Sequence, residues 1–503
     1  MPEDRREQAG EGPRDGGVPA RVERVQVRPQ SLERFRDVLP AARWRRVEDA
    51  LARAGSVLTD RVVWNVNSTA RGGGVAEMLR SLIGYARGAG VDARWMTISG
   101  DARFFEVTKR LHNRLHGSPG DGGPLGTSER AVYEAPLRRC ADALLEQMRS
   151  RDLVVLHDPQ TAPLVPLLAD SGARIAWRSH IGQDTPNALA LEAWRFLLPY
   201  VQHADVCIFS RQAYAWGGIE TGRLAFIHPS IDAFSVKNQE LDPDDVLAIL
   251  AAAGILDGAG GGPAKFSRAD ETPGLVQRRT QLVEAGRLRA ATQVAVQVSR
   301  WDRLKDPLGV VEGFAAHVAA DSPAHLVLAG AETGAVADDP EGAEVLAEVE
   351  QAWTRLDPGT RERVHLACLP MEDAEENAVI VNALQRHASV VCQKSIAEGF
   401  GLTVAEAMWK ARPVVATRVG GIQDQIVHGV SGYLIDDPRD LAEFGAAITA
   451  FLNEPATAAK VGARARRRAR DKFLGPDHLI HYLRLFERLL KEKPSAKKLA
   501  RPV

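Results

Sequence analysis

An excess of charge of either sign is missing from this chain: 64 Lys and Arg stand against 65 Asp and Glu, a formal net charge of −1 over 503 residues. Such balance gives no bulk attraction to nucleic acid or to an anionic membrane, so neither is expected as a partner. Cysteine is scarce. Its four copies, Cys140, Cys207, Cys368 and Cys392, are widely spaced and three lie in apolar strand-like runs, which excludes a dense disulfide framework and reads as buried free thiols in a reducing compartment. No apolar stretch approaches the roughly 18 residues needed to span a bilayer. The first 17 residues are charged and glycine-rich without an apolar centre, unlike a secretory leader, so a cytoplasmic location is expected. No Cys or His cluster has zinc-site spacing, and His112 and His116, four apart, lack the Glu of a metalloprotease helix. Asp338-Asp339 and Asp436-Asp437 sit in loop contexts with no sign of converging. No metal site is expected.

What is there is the material of a globular α/β protein, 45% hydrophobic and 26% charged. Apolar runs at 61–66, 93–98, 153–156, 174–177, 206–209 and 224–227 alternate with helical patterns, and the alternation resumes at 293–298, 325–328, 364–366, 389–392, 414–416 and 432–435. That rhythm predicts parallel sheets with crossover helices, one in each half of the chain. The boundary falls near Asp232. The segment 257–274, rich in Gly and Pro, reads as a mobile surface loop, and a helix over 476–491 carries Leu479, Ile480, Leu483, Phe486 and Leu490 on one side. Residues 1–20 and the basic stretch 492–503 read as disordered tails.

In the second half, Glu398 and Glu406 stand eight residues apart across Gly399, Phe400 and Gly401, where an apolar strand gives way to a helix beginning at Leu402 and Thr403. Glycines there let the backbone approach a ligand closely, and the free N–H groups of the helix start favour an anion. Two glutamates at this spacing also arise by chance, but a second pattern lies upstream. A strand ending at Val298 is followed by Arg300 and Lys305, and Pro307 opens a helix. A guanidinium fork and a mobile ammonium together suit the several oxygens of a diphosphate.

In the first half, Gly72-Gly73-Gly74 follows a strand containing Asn65 and Asn67 and precedes a helix, so its amides also suit a phosphate, although a purely structural turn reads the same way. The loop is neither Gly-x-Gly-x-x-Gly nor a Walker loop, which weakens dinucleotide-dependent and NTPase readings. Asp158 and His180 stand at or just after strand ends, on the side where open parallel sheets bind ligands.

Glu398 and Glu406 preceded by Arg300 and Lys305 resemble the signature of retaining glycosyltransferases of the GT-B architecture, two Rossmann-like parallel-sheet domains facing across a cleft. The runs 62–79, 104–117, 156–160, 177–184 and 227–232 are more closely similar to the glycosyltransferring trehalose synthases, over roughly residues 35 to 490. The resemblance implies an acceptor domain over 21–232, completed by the helix 476–491, and a donor domain over 233–475. It implies glucose transfer from a nucleoside diphosphoglucose (ADP-, UDP- or GDP-glucose) as co-substrate to free glucose, giving trehalose with retained α configuration and no required cofactor. Arg300 and Lys305 would stabilise the departing diphosphate, Glu398 would hold the transferred glucose and Glu406 the ribose. Gly72, Gly73, Gly74, Gly399, Phe400, Gly401, Leu402 and Thr403 would line the donor site. Asp158 and His180 would stand near the reacting carbon, and Asn67, Arg178, Gln183 and Asp184 would meet acceptor hydroxyls. A retaining trehalose phosphorylase, a glucosyltransferase with another acceptor and a non-catalytic nucleotide-sugar binding protein are the rival readings. Oligomeric state stays open, with a homodimer as one expectation.

Overall fold

A computed structural model describes residues 21–70, 73–258, 262–333 and 340–492. Gly72, the Asp338-Asp339 pair and almost all of both expected tails lie outside these described residues. Two seven-stranded sheets organise the chain. The first comprises β1 (Val22–Val25), β2 (Val62–Asn67), β3 (Asp92–Ile98), β4 (Leu153–His157), β5 (Arg174–Ser179), β6 (Val206–Phe209) and β7 (Leu224–Phe226). After the small hairpin of β8 (Lys265–Ser267) and β9 (Pro273–Leu275), the second comprises β10 (Gln281–Val283), β11 (Val294–Val298), β12 (His325–Ala331), β13 (Val364–Leu369), β14 (Val390–Gln393), β15 (Val414–Thr417) and β16 (Tyr433–Ile435).

Strand order is β1-β3-β2-β4-β5-β6-β7 in the first sheet and β10-β13-β12-β11-β14-β15-β16 in the second. Pairing is parallel throughout except at β1 and β10, which join their edges antiparallel. The order reverses between β2 and β4 in one sheet and between β11 and β14 in the other, and it is outside the carboxyl ends of such strands that a doubly wound sheet opens a crevice. β2, β4 and β14 are buried at every position, because helices cover both faces; β4 and β14 accordingly read as apolar runs up to a polar last residue, whereas β2 carries buried Asn65 and Asn67. Trp64, Trp95 and Trp177 are fully enclosed in the first lobe.

The stretch read from sequence as a mobile loop, 257–274, instead carries β8 and the turn into β9. Arg268 in that turn pairs with Asp373 at 2.8 Å and Glu375 at 3.0 Å, which fastens the hairpin to the start of the helix Ala374–His387. The chain passes between the lobes twice, and the passages are bonded to each other: Ile231 N–H donates to the carbonyl of Phe473 at 2.8 Å. Beyond the second passage the helix Gly475–Lys491 packs on the first-lobe helices Ala41–Val57 and Gly73–Gly88. Arg43 pairs with its Asp477 at 2.6 Å and Arg53 with its Glu487 at 3.2 Å.

Candidate active site

The reversal point of the second sheet brings the two motifs of that half together. β11 ends at Val298 and feeds the Arg300–Lys305 loop, and β14 ends at Gln393 and feeds the Glu398 turn. Buried Gln297 stitches them: its amide donates to the carbonyl of Lys305 at 2.9 Å and its oxygen accepts from Lys394 N–H at 3.0 Å. Ile396 N–H adds a bond to the carbonyl of Leu304 at 2.8 Å. Enclosed Lys394 pairs with Asp306, whose left-handed backbone (φ 49°) turns the chain from Lys305 into the helix Pro307–His317 and whose carboxylate caps that helix at Gly309 N–H. Lys305 Nζ is thereby set 2.6 Å from Glu398 Oε2, which also accepts from Ser395 Oγ at 3.2 Å. Arg300, half exposed, lies 2.6 Å from Asp302.

Gly401 adopts φ +81° at the start of the helix Leu402–Trp409, which explains a glycine there. Phe400 packs on Phe473 at the lobe crossing with ring centroids 5.7 Å apart. Glu406 is buried one helical turn farther on, 4.0 Å from Lys237, and Lys237 reaches Glu77 of the first lobe at 2.7 Å. Burial pushes the Glu406 carboxyl up against the pull of Lys237 and Lys410, while burial lowers Lys410 to about 7.

The first lobe meets this turn directly. A Cβ on Gly399 would stand 2.7 Å from the carbonyl oxygen of His180, and one on Gly74 would stand 2.6 Å from Leu402 Cδ1. The glycine loop, in which Gly73 has φ +75°, therefore lies against the helix start whose amides Leu402 and Thr403 contribute. Tyr214 donates its hydroxyl to the carbonyls of Gly399 at 2.7 Å and Glu398 at 3.1 Å.

Asp158 occupies a strained position, φ 64° and ψ 177°, where β4 gives way to a short turn. His180 N–H donates to its carboxyl oxygen at 2.7 Å. Burial raises the Asp158 pKa to about 7, with the His180 amide and Arg178 opposing the rise.

Several residues expected at the acceptor are committed inside the protein. Arg178 is fully enclosed, and its guanidinium donates to Tyr482 Oη at 2.9 Å, the carbonyl of Ile227 at 3.1 Å and His180 Nδ1 at 3.4 Å. Because Arg only donates, His180 Nδ1 accepts; His180 Nε2 then donates to His157 Nδ1 at 3.1 Å, and His157 Nε2 donates to Asn65 Oδ1 at 3.2 Å. Burial holds both imidazoles below their ordinary pKa, so neutral rings fit this one-way chain. The ring of His180 thus has no open nitrogen, and what it turns toward the cleft is its backbone. Asn67 accepts from Trp95 Nε1 at 2.7 Å and donates to the carbonyl of Thr69 at 2.7 Å, bracing the strand end. Asp184 joins the lobes, taking Arg211 at 2.6 Å, Gln423 Nε2 at 2.7 Å and Gly420 N–H at 3.1 Å. Gln183 keeps its side-chain oxygen unpartnered while its amide donates to the carbonyl of His116 at 2.8 Å.

The sequence reading gave no site role to Tyr214, Arg211 or Lys237, nor to the end of the helix Ala102–Leu115, which brings His112 and His116 near the charges of Arg300 and Lys305. Both histidines lie in the run 104–117 that carries the family resemblance, but the sequence reading weighed their four-residue spacing only for metal and gave neither a role. Among the described residues no three His, Cys, Asp or Glu side chains converge to hold a metal ion.

Both halves of the chain are similar to known proteins. Residues 65–216 match the trehalose synthase N-terminal domain family, and residues 374–468 match glycosyl transferases group 1. A trehalose synthase of Rubrobacter xylanophilus is 36% identical over 471 residues, covering 93% of this chain and 99% of that protein. A trehalose phosphorylase of Pleurotus pulmonarius is 27% identical, covering 80% of this chain and 54% of that protein. Among solved structures, an α,α-trehalose-phosphate synthase (UDP-forming) from Burkholderia vietnamiensis superposes with TM-score 0.62 at 16% identity, over 85% of this chain and 98% of that one. Two Rossmann-like lobes of GT-B type, closed on each other at the ends of their strands, and similarity to a trehalose synthase along nearly the whole length give the conclusion that this chain belongs to the trehalose synthase family and is a trehalose-forming glycosyltransferase.

Proposed function

We propose that the protein transfers glucose from a nucleoside diphosphoglucose to free glucose, retaining the α configuration. The observation that carries this reading is the Lys305–Glu398 pair, 2.6 Å apart at the reversal point of the second sheet and beside a glycine-opened helix. A cation and helix amides suit the diphosphate, and a carboxylate suits sugar hydroxyls.

In this proposal, residues 21–232 with the helix 476–491 form the acceptor domain and residues 233–475 the donor domain. Arg300 and Lys305 receive the negative charge that grows on the β-phosphate as the anomeric C–O bond breaks, its electron pair leaving with the phosphate oxygen. Removing one such oxyanion partner costs about 3 to 4 kcal/mol of barrier. The acceptor's anomeric oxygen forms the new bond to C1 from the face the diphosphate leaves, and its proton passes to a phosphate oxygen. Asp158 holds the acceptor near that carbon, set in place by the backbone N–H of His180. Glu398 takes hydroxyls of the transferred glucose, and Glu406 those of the ribose. Gly73 and Gly74 approach the phosphates from the first lobe, and the four free, buried cysteines fit a reducing, cytoplasmic setting.

The test is incubation with ADP-, UDP- or GDP-glucose plus glucose, followed by digestion of the product with trehalase. Trehalase-sensitive product and free nucleoside diphosphate are expected. Trehalose formed from glucose 1-phosphate and glucose with release of inorganic phosphate, and from none of the nucleoside diphosphoglucoses, would favour the phosphorylase reading, which the similarity to a trehalose phosphorylase keeps in view.

A further inference from the structure

His116, which feels the charges of Lys305 and Glu398, and Gln183, bonded to it, each hold a buried polar atom with no partner among the described residues, Nδ1 and Oε1. Buried polar groups in folded proteins are nearly always satisfied, and an exception beside a cleft marks a place that can receive a polar group of a ligand. The pair is built, not accidental. Gln183 Nε2 is fixed by the carbonyl of His116 at 2.8 Å, and the Gln183 carbonyl is held by Trp216 Nε1 at 2.9 Å. Gly117 makes the close approach possible: with φ +81°, it leaves a space in which a Cβ would collide with Gln183 Nε2 at 2.3 Å. The His116 ring is set edge-on against His112, centroids 5.0 Å apart, and its Cε1 stands 3.9 Å from where a Cβ of Gly399 would be.

We propose that His116 and Gln183 are substrate-contacting residues that grip hydroxyls of a hexose lying against the Lys305–Glu398 pair. Their chemistry selects the ligand class. Burial and the nearby Lys305 depress the His116 pKa to about 4, against the opposing pull of Glu398 and Asp302, so the imidazole is neutral at physiological pH. A neutral imidazole and a carboxamide offer no net charge to a phosphate. A sugar hydroxyl donates and accepts at once and satisfies both atoms. The donor glucose and the acceptor glucose share this chemistry, and kinetics tells them apart.

The inference rests on the placement of the transferred hexose beside Glu398. His116→Phe, which keeps a ring and removes its nitrogens, and Gln183→Ala are assayed with glucose and nucleoside diphosphoglucose varied separately, and nucleoside diphosphate binding is measured by calorimetry. Each variant is expected to raise KM at least tenfold for one of the two sugars, naming the hexose gripped, with nucleoside diphosphate affinity unchanged. In a series of deoxyglucoses, the variant and wild-type proteins should then converge on the analogue lacking the gripped hydroxyl. KM values within twofold of wild type for both sugars in both variants overturn the proposal, as does an equal loss of nucleoside diphosphate affinity. Lys305→Ala separates the two failures: if it is crippled while the His116 and Gln183 variants behave normally, only this inference falls, whereas full activity in Lys305→Ala removes the placement beneath it.

Discussion

The Tyr214 hydroxyl of the first lobe donates across the cleft to the carbonyl of Gly399 at 2.7 Å, so the turn bearing Glu398 is held in position by the opposite lobe. Tyr214→Phe removes that bond and the one to the Glu398 carbonyl while keeping the ring. The Gly399 carbonyl keeps Gly421 N–H at 3.2 Å, whereas the Glu398 carbonyl loses its donor, and a buried carbonyl left unpaired costs about 1 to 3 kcal/mol. Turnover should fall about tenfold or more, the equivalent of about 1.4 kcal/mol. Steady-state kinetics with a thermal melt checks this; wild-type turnover would remove Tyr214 from the account.

Lys305→Ala strips the cation from Glu398 and from the proposed leaving group. The expected loss is about 10²- to 10³-fold in kcat, the effect of deleting one oxyanion donor. Arg300→Ala, at a more exposed site, should cost about tenfold. Rapid-quench assays under single-turnover conditions measure the chemical step directly, and near-normal rates in both variants contradict the assignment.

Gly399→Ala tests lobe contact. Its methyl would meet the His180 carbonyl at 2.7 Å, so the lobes must stand apart by a fraction of an ångström or more. A misplacement of about 1 Å can cost about 10²-fold in rate. The expected result is a folded protein with turnover reduced at least tenfold and an expanded small-angle scattering profile in the presence of substrates. Unchanged activity would mean that the close contact is dispensable.

Asp158→Asn should flatten two pH dependences. The folded-state carboxyl titrates near 7, above its value of about 4 in the unfolded chain. The folded protein therefore holds the proton between these values and the unfolded one does not, so this group's contribution to stability declines as pH rises from 4 to 7. The Asn variant, with nothing to ionise, should lose that part of the slope in melting temperature over this window. If the carboxylate form serves the acceptor, wild-type kcat rises through pH 7 and the variant's residual rate does not. Parallel stability curves for the two proteins would refute the shifted titration.

Twelve of the sixteen strands among the described residues are legible as apolar runs, most of them because helices bury them on both faces. The four that escape, β1, β8, β9 and β10, are three or four residues long and partly exposed, and they pair antiparallel at an edge or in a hairpin, so they leave no apolar run. Polar residues at strand ends are harder. Arg178 and Asp158 look alike in sequence, yet Arg178 turns inward because His478 and Tyr482, about 300 residues later, wait beneath it. Asn67 is likewise claimed by Trp95 on the neighbouring strand. His116 and Tyr214 escape for the opposite reason, since each gains its meaning only when the other lobe arrives.

The bond between Ile231 and Phe473 gives the molecule a spine. The two covers of this book are joined by neighbouring threads tied together, so one connection cannot shift without pulling on the other. Any opening that carries Glu398 away from Tyr214 also carries Gly399 away from the His180 carbonyl, because both contacts belong to one turn.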